Sequence, residues 1–340
     1  MRPVYSVAML RHATTLLLVL LALTAAGCDG IMTGIAAGST VRVIRRAAPA
    51  ISRFEDPDFA ELAIPGSIGT MEGVLIIKPE DPDLHMSLAR GYASLGFAFY
   101  QDHMEAALAN DDEEAAEHWR QRATMAFRRA RVLGLEMLTI WEDDDGGAEG
   151  AIQGGIDRFN AYLENFDADQ APMLFWTAYA WANYINANRD DVDALAGLPF
   201  VNALVDRVLV LDDTFYYHAP HALRAGLWGG LPAQLGGRPQ DAKREFEIAI
   251  AATQRHNLMY LVMEAKIVAV ALQDRALYQS LLEEVINAGD VDPDNRLANQ
   301  CAKRRAARYL SEIDMLFEPV DAPPAEEPAE GAAPEAAPAN

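Results

Sequence analysis

The chain has 340 residues, and its 50 acidic and 28 basic side chains give a formal net charge of −22. This acidity argues against a nucleic-acid-binding protein, because clustered Lys and Arg must neutralise the phosphates of DNA or RNA. The most basic stretch, Lys303-Arg304-Arg305 with Arg308, is predicted to be a solvated helix face.

Residues 1–27 have the features of a bacterial export signal. Arg2 and Arg11 flank the start of the segment, and the apolar run Thr14–Ala26 that follows has about 13 residues. A membrane-spanning helix needs roughly 20, so we expect cleavage. The ending Ala-Ala-Gly-Cys resembles a lipobox, which predicts diacylation of Cys28 and attachment to the periplasmic face of the inner or the outer membrane. Ordinary cleavage just before this cysteine, leaving a free thiol, is the alternative.

Changes in composition divide the remainder of the chain. Residues 28–56 contain Gly, Ser, Thr and several Arg, and are predicted to be a flexible membrane tether. Residues 318–340 are mostly Pro, Ala and Glu, so they cannot bury a core and are predicted to be a disordered acidic tail. Between them, residues 57–317 form the predicted folded domain. If Cys28 is lipidated, Cys301 remains alone and no intrachain disulfide can form.

Helix signals dominate the folded domain, with Pro and Gly at the predicted helix ends. The first helix ends at Ile77, before a Pro- and Asp-rich turn, and the second extends through about His103. The next helices cover about Glu113–Leu133, Leu135–Trp141, Ala151–Asn165, Ala171–Asn186, Gly197–Leu211, Thr214–His218, Ala222–Leu235, Pro239–Arg255, Leu258–Leu272, Ala276–Ala288 and Asn295–Phe317. The pattern predicts about twelve helices in antiparallel pairs and no strand pair.

Two of these helices repeat a small-large-small pattern at spacings of three and four residues. The residues are Ala123, Phe127 and Ala130 in one helix and Ala242, Phe246 and Ala249 in the other. This spacing places all three side chains on one helix face, where the small residues let a neighbouring helix approach. The pattern is typical of the second helix of a tetratricopeptide (TPR) repeat. We therefore predict an all-α, irregular TPR-like solenoid of helical hairpins.

Other segments keep the same order and spacing as a known family. They include Leu88–Phe99, Phe175–Ala178 and Leu231–Gly237. Together with the two repeats, they make residues 60–317 resemble the T components of TRAP transporters, the TatT family of TPR-containing periplasmic lipoproteins. The resemblance implies a non-enzymatic homotrimer that docks a periplasmic solute-binding protein, the P component, and could pass a small organic ligand. A periplasmic TPR lipoprotein of envelope or outer-membrane assembly is the alternative.

Two aromatic clusters are the candidate functional residues. They are Phe175, Trp176, Tyr179 and Trp181 on one helix, and Tyr216, Tyr217 and His218 ahead of Trp228. On a helix, Trp176 and Tyr179 lie close together whereas Trp181 points elsewhere, so both sides of that helix must face apolar surroundings. These residues form either a core with a subunit interface or the walls of a ligand cleft.

No motif indicates metal binding, a cofactor or catalysis. Asp290-x-Asp292-x-Asp294 begins like a calcium loop, but its sixth and twelfth positions lack the required Gly and Glu. His218-x2-His221 would supply only two of the three or four protein ligands that zinc requires. We therefore predict a protein that is not an enzyme and has no metal, cofactor or catalytic residues.

Overall fold

The computed structural model describes residues 38, 39, 41–44, 46, 47, 49–232 and 236–317. These residues are mostly helical, and no strand occurs among them, so the predicted all-α class is confirmed. The predicted signal peptide, Cys28 and the acidic tail lie outside the described residues.

The helices follow one another with short connections. In chain order they are α1 Pro57–Ile77, α2 Pro82–Leu95, α3 Gln101–Ala109, α4 Glu113–Trp141, α5 Gly147–Gln153, α6 Ile156–Leu163, α7 Ala171–Ala187, α8 Val192–Leu195, α9 Leu198–Leu211, α10 Phe215–Gly229, α11 Pro239–Ala252, α12 Leu258–Met263, α13 Arg275–Asn287, α14 Arg296–Ser311 and α15 Ile313–Leu316. Two π-helical segments interrupt this series. Gly96–Tyr100 joins α2 to α3, and Glu264–Ala269 continues α12.

Aspartate caps fix the starts of several helices. Asp56 accepts hydrogen bonds from the backbone of α1, and Asp81 accepts one from Leu84 N at the start of α2. A proline follows each of these caps, where its missing N–H costs nothing because the first turn has no helical acceptor for it. These local signals explain why α1 begins at Pro57 and α2 at Pro82.

The repeat faces predicted from the alanine and phenylalanine spacing are buried. Ala123, Phe127 and Ala130 are at most 2% exposed. The ring of Phe127 packs against Gly96, where an added Cβ would lie 2.7 Å from the ring. Glycine is required at this position because the helices approach too closely for a side chain. The second face, with Phe246 at its centre, is fully buried as well.

The helices pack in sequence and then close on themselves. α2 packs on α4, α4 on α7, α7 on α9, and α10 on α11. At the crossing of α2, α4 and α7, the fully buried residues Ala93, Ala130 and Ala180 form a small contact cluster. α14 packs on α13 and also contacts α1. The first and last long helices therefore meet, an arrangement consistent with an irregular array of helical hairpins.

A buried ion cluster joins α3 to α14. Asp102, 3% exposed, lies 2.7 Å from Arg304 Nε, 3.3 Å from Arg305 Nε and 2.7 Å from Arg308 Nη2. Burial alone would raise the pKa of Asp102, but the three guanidinium groups outweigh it and lower that pKa. The prediction of a solvated basic face was therefore wrong, because Arg305 is itself only 3% exposed and is held by this carboxylate.

The residues just before α1 are also placed against the domain. The described residues between 38 and 52 are helical, and Val41 is buried in the core. Arg53 donates a 2.8 Å hydrogen bond to Asp294, ahead of α14. The sequence predicts that residues 28–56 form a flexible tether. The contacts of Val41 and Arg53 show that part of this segment packs on the domain. Residues up to 37 lie outside the described part of the chain.

Two stretches, α1 and Val192–Leu211, are apolar and long enough to cross a membrane by length and composition alone. Both also supply core residues, such as Met71 in α1 and Leu204 in α9. Length and hydropathy do not distinguish a membrane span from a core helix of this kind.

Candidate functional site

A cavity of about 1260 Å³ lies between the first and last helices of the array. Its walls come from α1, α2 and the π segment after it, α7, α10, α12 with its π segment, and α14, together with residues from 44 to 52. Most of the lining is apolar, with Ile68, Met71, Leu223, Met263 and Ile267 among the lining residues. The walls therefore come from both ends of the chain, and the cavity depends on closure of the array.

Four of the predicted aromatic residues line this cavity: Phe175, Trp176, Tyr179 and Tyr216. Three come from α7 and one from the start of α10. The ring centroids of Trp176 and Tyr216 are 5.2 Å apart, and those of Phe175 and Tyr179 are 6.0 Å apart in a stacked arrangement. The structure thus brings residues from the two sequence clusters into one aromatic wall.

The other four predicted residues do not line the cavity. Trp181 is 2% exposed and stacks on Phe200, which ties α7 to α9. The Trp228 ring carries the guanidinium groups of Arg224 and Arg238, centred 5.2 and 3.8 Å from its centroid. Tyr217 and His218 belong to a turn described next. These positions serve helix packing and local structure rather than the aromatic wall.

Three consecutive residues at the start of α10 have left-handed backbone. The φ angles of Tyr216, Tyr217 and His218 are 45°, 62° and 59°. Each such residue costs about 1–3 kcal/mol unless its surroundings impose it. The carbonyl of Tyr217 accepts a 3.0 Å hydrogen bond from the Tyr260 hydroxyl, which helps to hold the turn. Within this turn the ring of Tyr216 lies against that of Trp176.

Arg90 on α2 completes the aromatic wall. Its Nη2 donates a 3.0 Å hydrogen bond to the Tyr216 hydroxyl, and its Cζ lies 5.3 Å from the Trp176 ring and 4.9 Å from the Tyr216 ring. Among the described residues, no carboxylate lies within ion-pair distance of this guanidinium. No motif in the sequence marks Arg90 as a functional residue. A usable signal was its helical spacing from Ser94, Phe97 and Gln101, which also line the cavity.

The charged residues in the lining are mostly cationic. They are Arg90, Arg189, Lys266, Arg305 and Glu105. Glu105 is already engaged, because its Oε2 accepts hydrogen bonds from Arg308 Nη2, at 2.9 Å, and from the Tyr309 hydroxyl. Burial lowers the pKa of Arg189, which bonds to Asn186 rather than to a carboxylate. The cavity is therefore positive inside a strongly acidic protein.

The cavity also contains a thiol that is protonated at neutral pH. Cys301 on α14 is 1% exposed, and burial raises its pKa to about 11 despite the nearby Arg304 and Arg305. A thiol of this kind is a poor nucleophile. Elsewhere, His221 Nδ1 lies 2.6 Å from Glu245. In the described part of the chain, no three His, Cys, Asp or Glu side chains are placed to hold a metal ion.

The fold and the cavity define a class of protein: an all-helical domain whose helices surround a large, mostly apolar cavity. The family model for the TRAP transporter T-component matches residues 54–317, so the chain belongs to that family. The family predicted from the sequence is thereby confirmed. Its members are associated with a membrane transporter in bacteria and are not a known enzyme family. No curated protein matches the chain.

Proposed function

We propose that this protein is a lipid-anchored, TPR-like scaffold that docks the periplasmic solute-binding protein of a TRAP transporter and passes a small organic ligand. The observation that carries this proposal is the family match, which spans the whole folded domain from residue 54 to residue 317. The sequence of the domain contains no recognisable catalytic motif, but the domain does contain a large cavity.

The cavity supports the ligand-passing part of the proposal. Sites for small organic molecules are typically apolar spaces of roughly 300–1,000 Å³ with a few placed polar groups. The cavity of about 1260 Å³ is somewhat larger than this range, so it has room for such a molecule. Phe175, Trp176, Tyr179 and Tyr216 would contact the ligand, whereas Trp181, Tyr217, His218 and Trp228 have structural roles. We therefore assign these first four residues to the walls of a ligand cleft and the other four to helix packing and local structure.

The proposed location of the protein is the periplasmic face of a bacterial membrane. Residues 1–27 would direct export and Cys28 would carry the lipid, which places the anchor only about ten residues before the first described residue. A tether of this length would hold the domain close to the inner or outer membrane that carries the anchor.

A homotrimer is the proposed assembly, as the family resemblance implies. α1 carries apolar surface of the kind that a subunit interface covers, since Leu62 and Ile76 are 81% and 84% exposed. All 340 residues together have a mass of 37.2 kDa, and a native mass close to three times that of the chain without residues 1–27 is expected for the purified protein. A monomer at micromolar concentration would count against the trimer.

Affinity capture from crosslinked envelopes of the native host tests the function. The tagged chain should recover a periplasmic solute-binding protein, identified by mass spectrometry. The matched control is a chain in which residues 1–28 are replaced by an export signal that is cleaved without lipidation: it should leave the membrane fraction, and its yield of permease should fall while direct binding of the solute-binding protein persists. Recovery of β-barrel assembly proteins instead would favour a role in envelope assembly and overturn the transport proposal.

A further inference from the structure

We propose that the cavity binds an organic anion with an apolar body, and that Arg90 holds the acidic group of that ligand. The proposal rests on the ligand-passing role proposed above and adds the chemical class of the ligand and the residue that selects it. Three observations carry it: the sign of the charge in the cavity, the surroundings of Arg90, and the apolar walls beside it.

The cavity has the opposite charge to the protein that surrounds it. The whole chain has 50 acidic and 28 basic residues, yet the lining contains four cations, Arg90, Arg189, Lys266 and Arg305, against the single carboxylate of Glu105. That carboxylate is occupied by Arg308 and Tyr309. A concave surface with low-dielectric walls concentrates the field of such cations, so anions are drawn in and cations are excluded.

Arg90 is the lining cation best placed to hold an anion. Arg305 is already paired with Asp102, and Lys266 lies 4.4 Å from the Tyr309 ring, beside the Glu105 cluster. Arg189 has no carboxylate partner either, but it donates to the Asn186 side chain and, among the described residues, lies over none of the aromatic rings of the wall. Arg90 has no such carboxylate among the described residues, and its guanidinium contacts the Tyr216 hydroxyl and two aromatic rings. These contacts fix the plane of the guanidinium but do not neutralise it. A fixed, unneutralised guanidinium in a cavity is suited to hold a planar carboxylate or another acidic group through paired hydrogen bonds.

The residues next to Arg90 suit the apolar part of the same ligand. Trp176 and Tyr216 form an edge-to-face pair beside the guanidinium, and Phe175 packs edge-to-face on Trp176 with ring centroids 5.1 Å apart. Aromatic rings of this kind contact an apolar body over a large area. The Tyr216 hydroxyl, held by Arg90, would be a second polar contact for the acidic group. The left-handed turn at Tyr216 is what brings this ring to the site.

The chain contains a close chemical copy of this arrangement outside the cavity, which provides a matched control. Arg122 donates a 2.8 Å hydrogen bond to the Tyr100 hydroxyl and lies over the rings of Tyr100 and Trp119, at 4.5 and 5.3 Å. It does not line the cavity. Arg122→Gln therefore removes the same charge, hydrogen bond and ring contacts as Arg90→Gln, but leaves the cavity unchanged.

Two fluorescent dyes with the same ring system test the proposal. The chain from residue 28 onwards with Cys28→Ser, which lacks both the apolar run of residues 14–26 and the lipid and so needs no detergent, is titrated with the anion 1-anilinonaphthalene-8-sulfonate and with the neutral N-phenyl-1-naphthylamine. We expect the anionic dye to bind about tenfold or more tighter than the neutral dye, as a charge-assisted contact implies. Arg90→Gln should abolish that preference, Arg90→Lys should keep only the part that the positive charge supplies without the paired hydrogen bonds, and Arg122→Gln should not alter it. Circular dichroism establishes that each variant is folded before titration.

The outcomes separate this proposal from the function on which it rests. If both dyes bind equally well to the unsubstituted and the Arg90→Gln proteins, the cavity remains a ligand site but the anion proposal is overturned. If neither dye binds the folded protein, the ligand-passing role is overturned together with it. If Arg122→Gln abolishes the preference as strongly as Arg90→Gln, the assignment to Arg90 is wrong.

Discussion

Replacing Glu264 by Gln should stabilise the protein at pH 8 and leave its stability almost unchanged at pH 4. Glu264 begins the π-helical segment after α12 and is 4% exposed. Among the described residues, none donates a hydrogen bond to its carboxylate and none pairs with it at ion-pair distance. Burial, and then the charge of Glu247, raises its pKa from 4.5 to about 7, although Lys243 and Arg255 oppose the shift.

The sign and the size of this effect follow from proton linkage. Between pH 4.5 and 7 the folded protein keeps the proton on Glu264 and the unfolded chain loses it, so stability falls as the pH rises through this window. Below the window the acid is neutral in both states and costs nothing. Above it the ionised, buried carboxylate costs about 3 kcal/mol, at about 1.4 kcal/mol for each pKa unit. Glutamine cannot ionise, so it avoids this cost.

Urea denaturation between pH 4 and pH 8, followed by circular dichroism at the helix band, measures the difference between the two proteins. Glu283→Gln, at an exposed carboxylate on α13, is the control and should give a difference that is nearly flat with pH. A Glu264→Gln difference that does not grow between pH 5 and pH 8 would refute the reasoning. A difference that changes in the opposite direction would mean that Lys243 and Arg255 stabilise the ionised form.

Two further predictions concern buried groups near the cavity. Asp102→Asn should destabilise the protein at pH 7 by about 3–5 kcal/mol, because Arg304, Arg305 and Arg308 lose the carboxylate that pairs them. Because the pKa of Asp102 is lowered in the folded protein, this loss of stability should become smaller as the pH falls below the unfolded value of 3.8. Thermal melts of both proteins at pH 7 and pH 3.5 measure the change. Cys301 should react with a thiol reagent at pH 8 about a hundredfold more slowly in the folded protein than in urea, because burial raises its pKa from 9.0 to about 11. Equal rates in the two conditions would contradict the burial of Cys301.

Local patterns account for the part of the fold that the sequence predicted. The faces around Phe127 and Phe246 were readable because helical periodicity places residues three and four apart on one side. Helix ends were readable for the same reason, since a cap and a proline act on their own turn. The segments Glu113–Leu133 and Leu135–Trp141 were predicted separately and form one helix, α4, because Gly134 fits against Thr177 without breaking it.

Contacts between distant parts of the chain could not be read from periodicity. The basic stretch on α14 was predicted to be solvated because its partner, Asp102, lies about 200 residues away and carries no local signal. The same holds for the aromatic wall. Trp176 and Tyr216 belong to two separate aromatic clusters in the sequence, and nothing in their spacing shows that their rings meet. Arg90 was missed altogether, since an arginine within a helix is usually explained by exposure to solvent.

Irregular backbone segments are concentrated at the cavity, which favours the cavity as the functional part of the fold. Isolated left-handed residues such as Asp111 and Gln273 lie at helix ends, where that conformation is ordinary. In contrast, both π-helical segments of the described chain, Gly96–Tyr100 and Glu264–Ala269, contribute residues to the cavity wall, as does the left-handed turn at Tyr216. Such interruptions weaken a helix and are frequent at functional sites. A core that only had to pack could have used regular helix at all three places.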